Sequence, residues 1–381
     1  MILTEDQERF QLAVRKFVHN AVAPHAAEWE ESRGFPRDLL REIGRMGFLS
    51  VTVPPEWGGV GADYVSCALT LMEIGAGDGA LAVLVSAHNS VLCMPLVTYG
   101  TDAQRERYVR KVTTGEMLGA FALTEPHGGS DASDLRTTAV RYGKGWRIDG
   151  VKQFISSASI ADFVLVFAKT DPAAGKRGVS AFVFPTSTPG YRVTRVEKKM
   201  GLNATDTCEV LFDGVEVGDD ALVGEVGQGY KIALSNLEGG RIGVAAQCVG
   251  IARSALEHAV AYAKERVTFG KPIAQHQAVA VRLGDMATRV TAAEQLVLHA
   301  AALKDAGRPC HVEASMAKLL ASEVAERVAS DAVQTLGGNG YMAGYPVERI
   351  YRSARAPKLY EGTNDIQKLL ISRALTGMSA L

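Results

Sequence analysis

Apolar residues recur at helical spacing at both ends of the chain and at strand spacing in its middle. Near the start, Phe10, Val14, Phe17, Val18 and Ala21 share one helical face. Thr4 and Gln7 supply a capping box for that helix. Helical spacing, broken by Gly and Pro, continues to about Gly115. Within it, GGVGADYVSCALTLMEIGAGDGALAVLVSAHNSV predicts two apolar helices split by a Gly-rich turn. From about Leu118 the segments GWRIDG, DFVLVFAKT, VSAFVFPT, YRVTRVE and CEVLFDGVEV are short and rich in Val, Phe and Tyr. Turn clusters such as YGKG and DPAAGKRG separate them. No helical pattern of ten or more residues intervenes, which argues for an antiparallel barrel or sandwich over βαβ units. From about Gly229 helical spacing returns. Ile251, Ala255, Ala259 and Ala263 are four apart, as are Val312, Met316, Leu320, Val324, Val328 and Ala332. Long helices packed through Ala form bundles.

The pattern predicts an α+β chain of three domains. They are a helical domain over 1–117, a β domain over 118–228 and a helical bundle over 229–381. With 381 residues the chain is too long for a single core. Its 47% hydrophobic and 22% charged content is that of ordinary globular proteins. The formal net charge of -1 provides no general field for nucleic acid or an anionic membrane.

Cys67, Cys93, Cys208, Cys248 and Cys310 are scattered, with no pair at metal or redox spacing, and read as reduced thiols. The acidic start MILTEDQERF lacks a secretory pattern. No stretch is read as reaching the roughly 18 apolar residues of a membrane span. A cytoplasmic protein is expected; a matrix protein trimmed of its leader would read the same way.

G-x-S-x-G, H-E-x-x-H and zinc-spaced histidines are absent, and no metal site is expected. FGKPI lacks the Ser or Thr of a P-loop, and GGNGYMAG precedes no strand–turn–helix unit. Three segments remain. FALTEPHGGSDAS sets hydroxyls beside glycines, where backbone N–H groups can reach a polar ring or phosphate; composition alone favours a turn between domains. KERVTFGKPIAQHQ ends one long helix and leads to the next, with Arg266 at a helix C-terminus for ordinary electrostatic reasons. KLYEGTNDIQ places Glu361 and Gly362 in a connector between two helices. Pro357 stops the first helix, and Asn364 with Gln367 is expected to cap the second. Read singly, Glu361 is an exposed loop acid.

Read together, these segments resemble the acyl-CoA dehydrogenase family. FALTEPHGGSDA, VKQFISSA, DTCEVLF, EGGRIGVAAQ, ERVTFGKPIAQHQ, QTLGGNGY and YEGTNDIQ follow the family's order and spacing over essentially the whole chain. The resemblance is greatest to short-chain or short/branched-chain members. It implies FAD as cofactor, an acyl-CoA substrate and a separate electron-transferring flavoprotein as acceptor. It also implies a homotetramer built as a dimer of dimers.

Glu361 matches the catalytic base. Phe121, Leu123, Thr124, Phe154, Ile155 and Ser156 match contacts to the flavin ring, Phe154 standing where many members have Trp. Arg266, Phe269, Gln277, Gln334, Gly337 and Gly338 match FAD contacts made from a neighbouring subunit. Thr363 and Asn364 match FAD contacts at the start of the last helix. Ser130, Glu238, Arg241, Tyr360 and Gly362 match the substrate site.

Some members place the base immediately before the Arg of EGGRIG. Gly240 stands there, and Glu238 is expected to face elsewhere. Asn203 and Thr205 replace a common Arg and Ser, which leaves their loop open. Acyl-chain length is expected to depend on packing between Leu81–Pro95 and Leu234–Gly250. Two other readings are an oxygen-using relative on the same fold, an acyl-CoA oxidase or flavin monooxygenase, and a non-catalytic CoA-binding scaffold.

Overall fold

The computed structural model describes residues 2–379. The N-terminal helices are α1 (Glu5–Ala21), α2 (Ala26–Ser32), α3 (Arg37–Arg45), α4 (Tyr64–Gly77), α5 (Gly79–Ala87), α6 (Cys93–Tyr99), α7 (Asp102–Gln104) and α8 (Arg110–Thr113). The Thr4–Gln7 capping box forms, with Gln7 N 3.3 Å from Thr4 Oγ1 and Thr4 N 3.1 Å from Gln7 Oε1. The two apolar helices part at Asp78, which caps α5 through Leu81 N.

A π-helical turn, His88–Leu92, joins α5 to α6. Gly79–Tyr99 is therefore one stretch long and apolar enough to cross a membrane, which counting apolar residues missed. Of its apolar 18-residue window, 78% is buried inside the protein, as in a core helix.

Strands follow: β1 (Gly119–Ala122), β2 (Thr138–Tyr142), β3 (Gly145–Ser156), β4 (Phe163–Lys169), β5 (Val179–Pro185), β6 (Tyr191–Val196), β7 (Thr207–Gly218) and β8 (Leu222–Val223). They form one sheet in the order β6-β7-β3-β2-β4-β5-β8, with β1 beside β4. The antiparallel expectation holds except at β4, which pairs parallel with β1 and β2. No helix lies between β1 or β2 and β4: β3, antiparallel to β2, carries the chain back, so periodicity did not reveal the parallel pairing.

β4 explains its own unbroken apolar run. Phe163, Leu165 and Phe167 face the helical core, while Val164, Val166 and Ala168 face a second core with Phe182 and Phe212. A strand buried on both faces needs no polar alternation.

The chain then returns to helix: α9 (Gly229–Leu234), α10 (Leu237–Glu265), α11 (Gln277–Asp305), α12 (His311–Leu336), α13 (Pro346–Arg355) and α14 (Asn364–Thr376). A small hairpin of β9 (Val267–Thr268) and β10 (Lys271–Pro272) links α10 to α11, where only a break was expected. Ala255, Ala259 and Ala263 are fully buried. On α12 the expected stripe holds at Val324, Val328 and Ala332. Earlier it moves to Ala314, Ala317 and Ala321, leaving Val312, Met316 and Leu320 half-buried. A strict four-residue stripe drifts about 40° per step around a helix of 3.6 residues per turn, so it cannot stay on one face.

Polar clamps tie these layers together. Glu73 of α4, only 2% exposed, accepts bonds from Arg15 of α1 at 2.9 and 3.1 Å and from Arg253 of α10 at 2.6 and 2.9 Å. Burial pushes its carboxyl up, but the two arginines outweigh this and hold it below the usual carboxylate range. A second clamp answers the question left at Asn203. Its N–H and Nδ2 each lie 2.7 Å from the Glu30 carboxylate of α2, which also receives Arg352 of α13 at 2.6 Å. The loop is thus held by both helical regions.

Glu73→Ala would leave two guanidinium groups facing an empty space. It should cost about 3 kcal/mol, seen as a lower urea midpoint in equilibrium unfolding.

Candidate active site

The connector between α13 and α14 turns on two successive left-handed residues, Glu361 at φ 54° and Gly362 at φ 83°. Glycine tolerates this backbone; for glutamate it costs about 1–2 kcal/mol. Surrounding bonds hold the turn. Lys318 Nζ of α12 donates to Gly362 O at 2.7 Å and to Asn364 Oδ1 at 3.1 Å. Gln367 Nε2 donates to Glu361 O at 3.2 Å and Gly362 O at 3.0 Å. Ser322 Oγ adds a bond to Asn364 Oδ1 at 3.0 Å.

The expected Asn364–Gln367 cap does not form. Thr363 caps α14 through Ile366 N, because the side chains of Asn364 and Gln367 are engaged in holding the turn.

The Glu361 carboxylate packs over Gly240 of α10. A Cβ on that glycine would lie 3.0 Å from Glu361 Oε2 and 3.3 Å from Cδ. Among the described residues, neither the carboxylate nor the Glu361 N–H has a hydrogen-bond partner, so both stay available. Burial raises the Glu361 pKa, opposed first by Arg241 and then by Lys318. That is the condition of a base made stronger by drying.

Tyr360, the preceding residue, anchors the connector to α10 through Oη to Gln247 Oε1 at 2.9 Å. Burial lifts its phenol well above 10, so it stays neutral. Arg241 reaches Ser315 Oγ at 3.3 Å, and its buried Nε has no partner. Glu238 faces elsewhere, toward Lys304 and Cys310, both at 3.5 Å.

The segments expected at the flavin ring also meet. Gln153 N donates to Thr124 O at 2.9 Å, and Lys152 Nζ to Leu123 O at 2.9 Å. Lys152 is fully buried and pairs with Glu125 at 2.7 Å. Burial brings Lys152 down to about 8, against the pull of Glu125. A register shift between Lys152 and Ile155 interrupts β3, and there Phe154 takes φ 59° and stands 63% exposed. Such bulges re-aim side chains.

The Ile155 side chain is buried in the sheet core, so its backbone is the part open to a ligand. Phe121 and Leu123 pack against the helical core, and Ser130 lies exposed beyond the turn. His88 holds β1 in place. Its Nδ1–H donates to Leu84 O at 2.8 Å and its Nε2 accepts from Gly119 N at 3.0 Å.

Arg266, Phe269, Gln277, Gln334, Gly337 and Gly338 are exposed at the other end of the bundle. Asn339 Nδ2 bonds Tyr262 Oη there at 2.9 Å, joining the ends of α10 and α12. Gly240 and Glu265 stand at opposite ends of α10, about 38 Å apart at 1.5 Å per residue. One chain therefore keeps this group away from Glu361.

The family models cover the chain almost end to end: the N-terminal domain of acyl-CoA dehydrogenase at 4–116, the middle domain at 120–215 and the C-terminal domain at 227–376. The chain belongs to the acyl-CoA dehydrogenase family. An acyl-CoA dehydrogenase of Bacillus subtilis is 46% identical over 99% of this chain and 100% of its own. A short-chain specific acyl-CoA dehydrogenase of Clostridium acetobutylicum is 40% identical over 97% and 98%.

Among solved structures, a chain from work on the electron transferring flavoprotein of Acidaminococcus fermentans superposes with a TM-score of 0.96 at 42% identity, covering 99% of each chain. Butyryl-CoA dehydrogenase of Megasphaera elsdenii gives 0.95 at 39%, over 98% and 99%. A glutaryl-CoA dehydrogenase of Mycobacterium smegmatis in complex with FADH2 gives 0.95 at 31%, over 100% and 96%. This acyl-CoA dehydrogenase homologue is thus an oxidoreductase of three-domain fold.

Sequence reasoning missed Lys318 and Lys152. A signal for Lys318 was present: it lies four residues from Ala314 and from Ser322, both on the buried face of α12.

Gly240→Ala should push the Glu361 carboxylate off its seat and slow acyl-CoA oxidation by about a hundredfold. Steady-state kinetics on protein with unchanged thermal stability would check this.

Proposed function

We propose that the protein removes hydrogen from C2 and C3 of a short acyl-CoA thioester, with Glu361 as the base and FAD as the bound cofactor. The observation that carries this reading is the unpaired Glu361 carboxylate, raised in pKa by burial and aimed over Gly240.

The residues present suit a flavin. Phe154 stands out from a left-handed bulge beside Ser156 and Thr124, and Asn364 Nδ2 at the start of α14 is buried without a partner. Phe154 would cover the ring and Ser156 would bond it, with Thr363 and Asn364 serving the helix N-terminus. When bound, FAD supplies the acceptor for hydride from C3. Glu361 takes the C2 proton. Its free N–H donates to the thioester oxygen as negative charge gathers there. Loss of proton and hydride leaves a trans-2-enoyl-CoA.

The chain-length assignment rests on packing and on the named relatives. Gly243 of α10 is so close to α5 that a Cβ would lie 2.4 Å from Ser86 Oγ, and Asn236 Nδ2 bonds Ser90 O at 3.1 Å. Little room remains between these helices for a long chain.

The distance along α10 supports the proposed assembly. Arg266, Phe269, Gln277, Gln334, Gly337 and Gly338 serve the FAD of a second copy, within a tetramer. An electron-transferring flavoprotein then takes the electrons, in keeping with the Acidaminococcus likeness.

Anaerobic titration with acyl-CoAs of graded length tests the reading. Short chains should bleach the flavin fastest. Glu361→Gln should keep FAD and bind acyl-CoA while flavin reduction slows by at least about a hundredfold. Near-normal bleaching in that variant would refute the base, and rapid peroxide formation in air would favour an oxidase.

A further inference from the structure

Lys318 is fully buried and forms no ion pair among the described residues. A buried ammonium is costly unless matched by an opposite charge. Its two hydrogen bonds end on neutral oxygens, Gly362 O at 2.7 Å and Asn364 Oδ1 at 3.1 Å. The carbonyl it grips is one residue beyond Glu361, whose carboxylate lacks a partner of its own. A neutral donor would satisfy the Gly362 carbonyl as well. What the ammonium adds is charge, placed under the turn that carries the base.

We propose that Lys318 is a positioning residue for the reaction: it grips Gly362 O, so fixing the left-handed turn that aims Glu361, and its charge keeps that half-buried carboxylate ionised until substrate arrives. This rests on the reading of Glu361 as the base.

The charged and titratable groups facing Glu361 are Arg241 from α10, Lys318 from α12 and Tyr360 from its own connector. Those facing Lys318 are Cys248 and Arg241 from α10, and Glu361. Burial brings Lys318 down to about 8, with Cys248 and Glu361 pulling the other way. It is therefore charged at neutral pH. Removing that charge lets burial raise Glu361 further, so a larger share of the base is protonated at a given pH. The sign is fixed: the acid limb of the rate profile moves to higher pH.

The test uses FAD-loaded protein, with anaerobic stopped-flow reduction by a short acyl-CoA from pH 5.5 to 9. Lys318→Gln offers an N–H without the charge. It should slow flavin reduction by about tenfold at pH 6 and approach the parent rate at pH 9. Lys318→Met offers neither donor nor charge and should stay slow throughout. A parent-like pH profile in either FAD-loaded variant would overturn the proposal. If neither variant folds and holds FAD, the role of Lys318 is structural and the proposal also falls. Glu361→Gln is run alongside. If it still reduces flavin, the reading of the base fails. If it is inert while the Lys318 variants behave like the parent, only this inference fails.

Discussion

The site depends on a backbone constraint: Glu361 and Gly362 must both stay left-handed. An L-residue resists this conformation, so the turn persists only where neighbours over-determine it. Lys318, Gln367 and Thr363 supply that surplus, each through a hydrogen bond to the connector or the first turn of α14. The strain places a carboxylate and its own N–H on the same connector, both unspent.

The rest of the fold supports that turn and the bulge at Phe154. Each has a buried lysine at its back, Lys318 on α12 and Lys152 on β3. Lys152 is neutralised by Glu125, which in turn accepts the N–H groups of Arg136 and Thr137 at 2.6 and 3.0 Å. Lys318 has no such partner, and the difference fits their surroundings. The bulge needs only a fixed shape, whereas the connector carries a group that must change protonation. Farther out, the Glu73 and Glu30 clamps lock α1, α2, α4, α10 and α13 together, so the elements lining the site keep their spacing.

Much of this was legible in the sequence. The order of helical, strand and helical regions follows from period alone, since 3.6 and 2.0 are hard to confuse over long runs. The connector around Glu361 followed from Pro357 and the sequence beyond it. What stayed hidden has physical causes. β1 and β2 are short, and pair in parallel with a strand distant in sequence. The β9–β10 hairpin is too brief for any periodicity. The cap of α14 was misassigned because Asn364 and Gln367 have capping chemistry yet use it on the turn and on α12. Ile155 shared a motif with Phe154 but points the other way, as the bulge dictates.

The central claim is that the Glu361 carboxylate can reach carbon two of a bound thioester. A crystal structure of the FAD-loaded protein with a non-reacting acyl-CoA analogue tests it directly. The account predicts a Glu361 carboxylate oxygen within about 3.5 Å of that carbon, with the connector still left-handed. A carboxylate turned to solvent, or held in an ion pair away from the thioester, would contradict it.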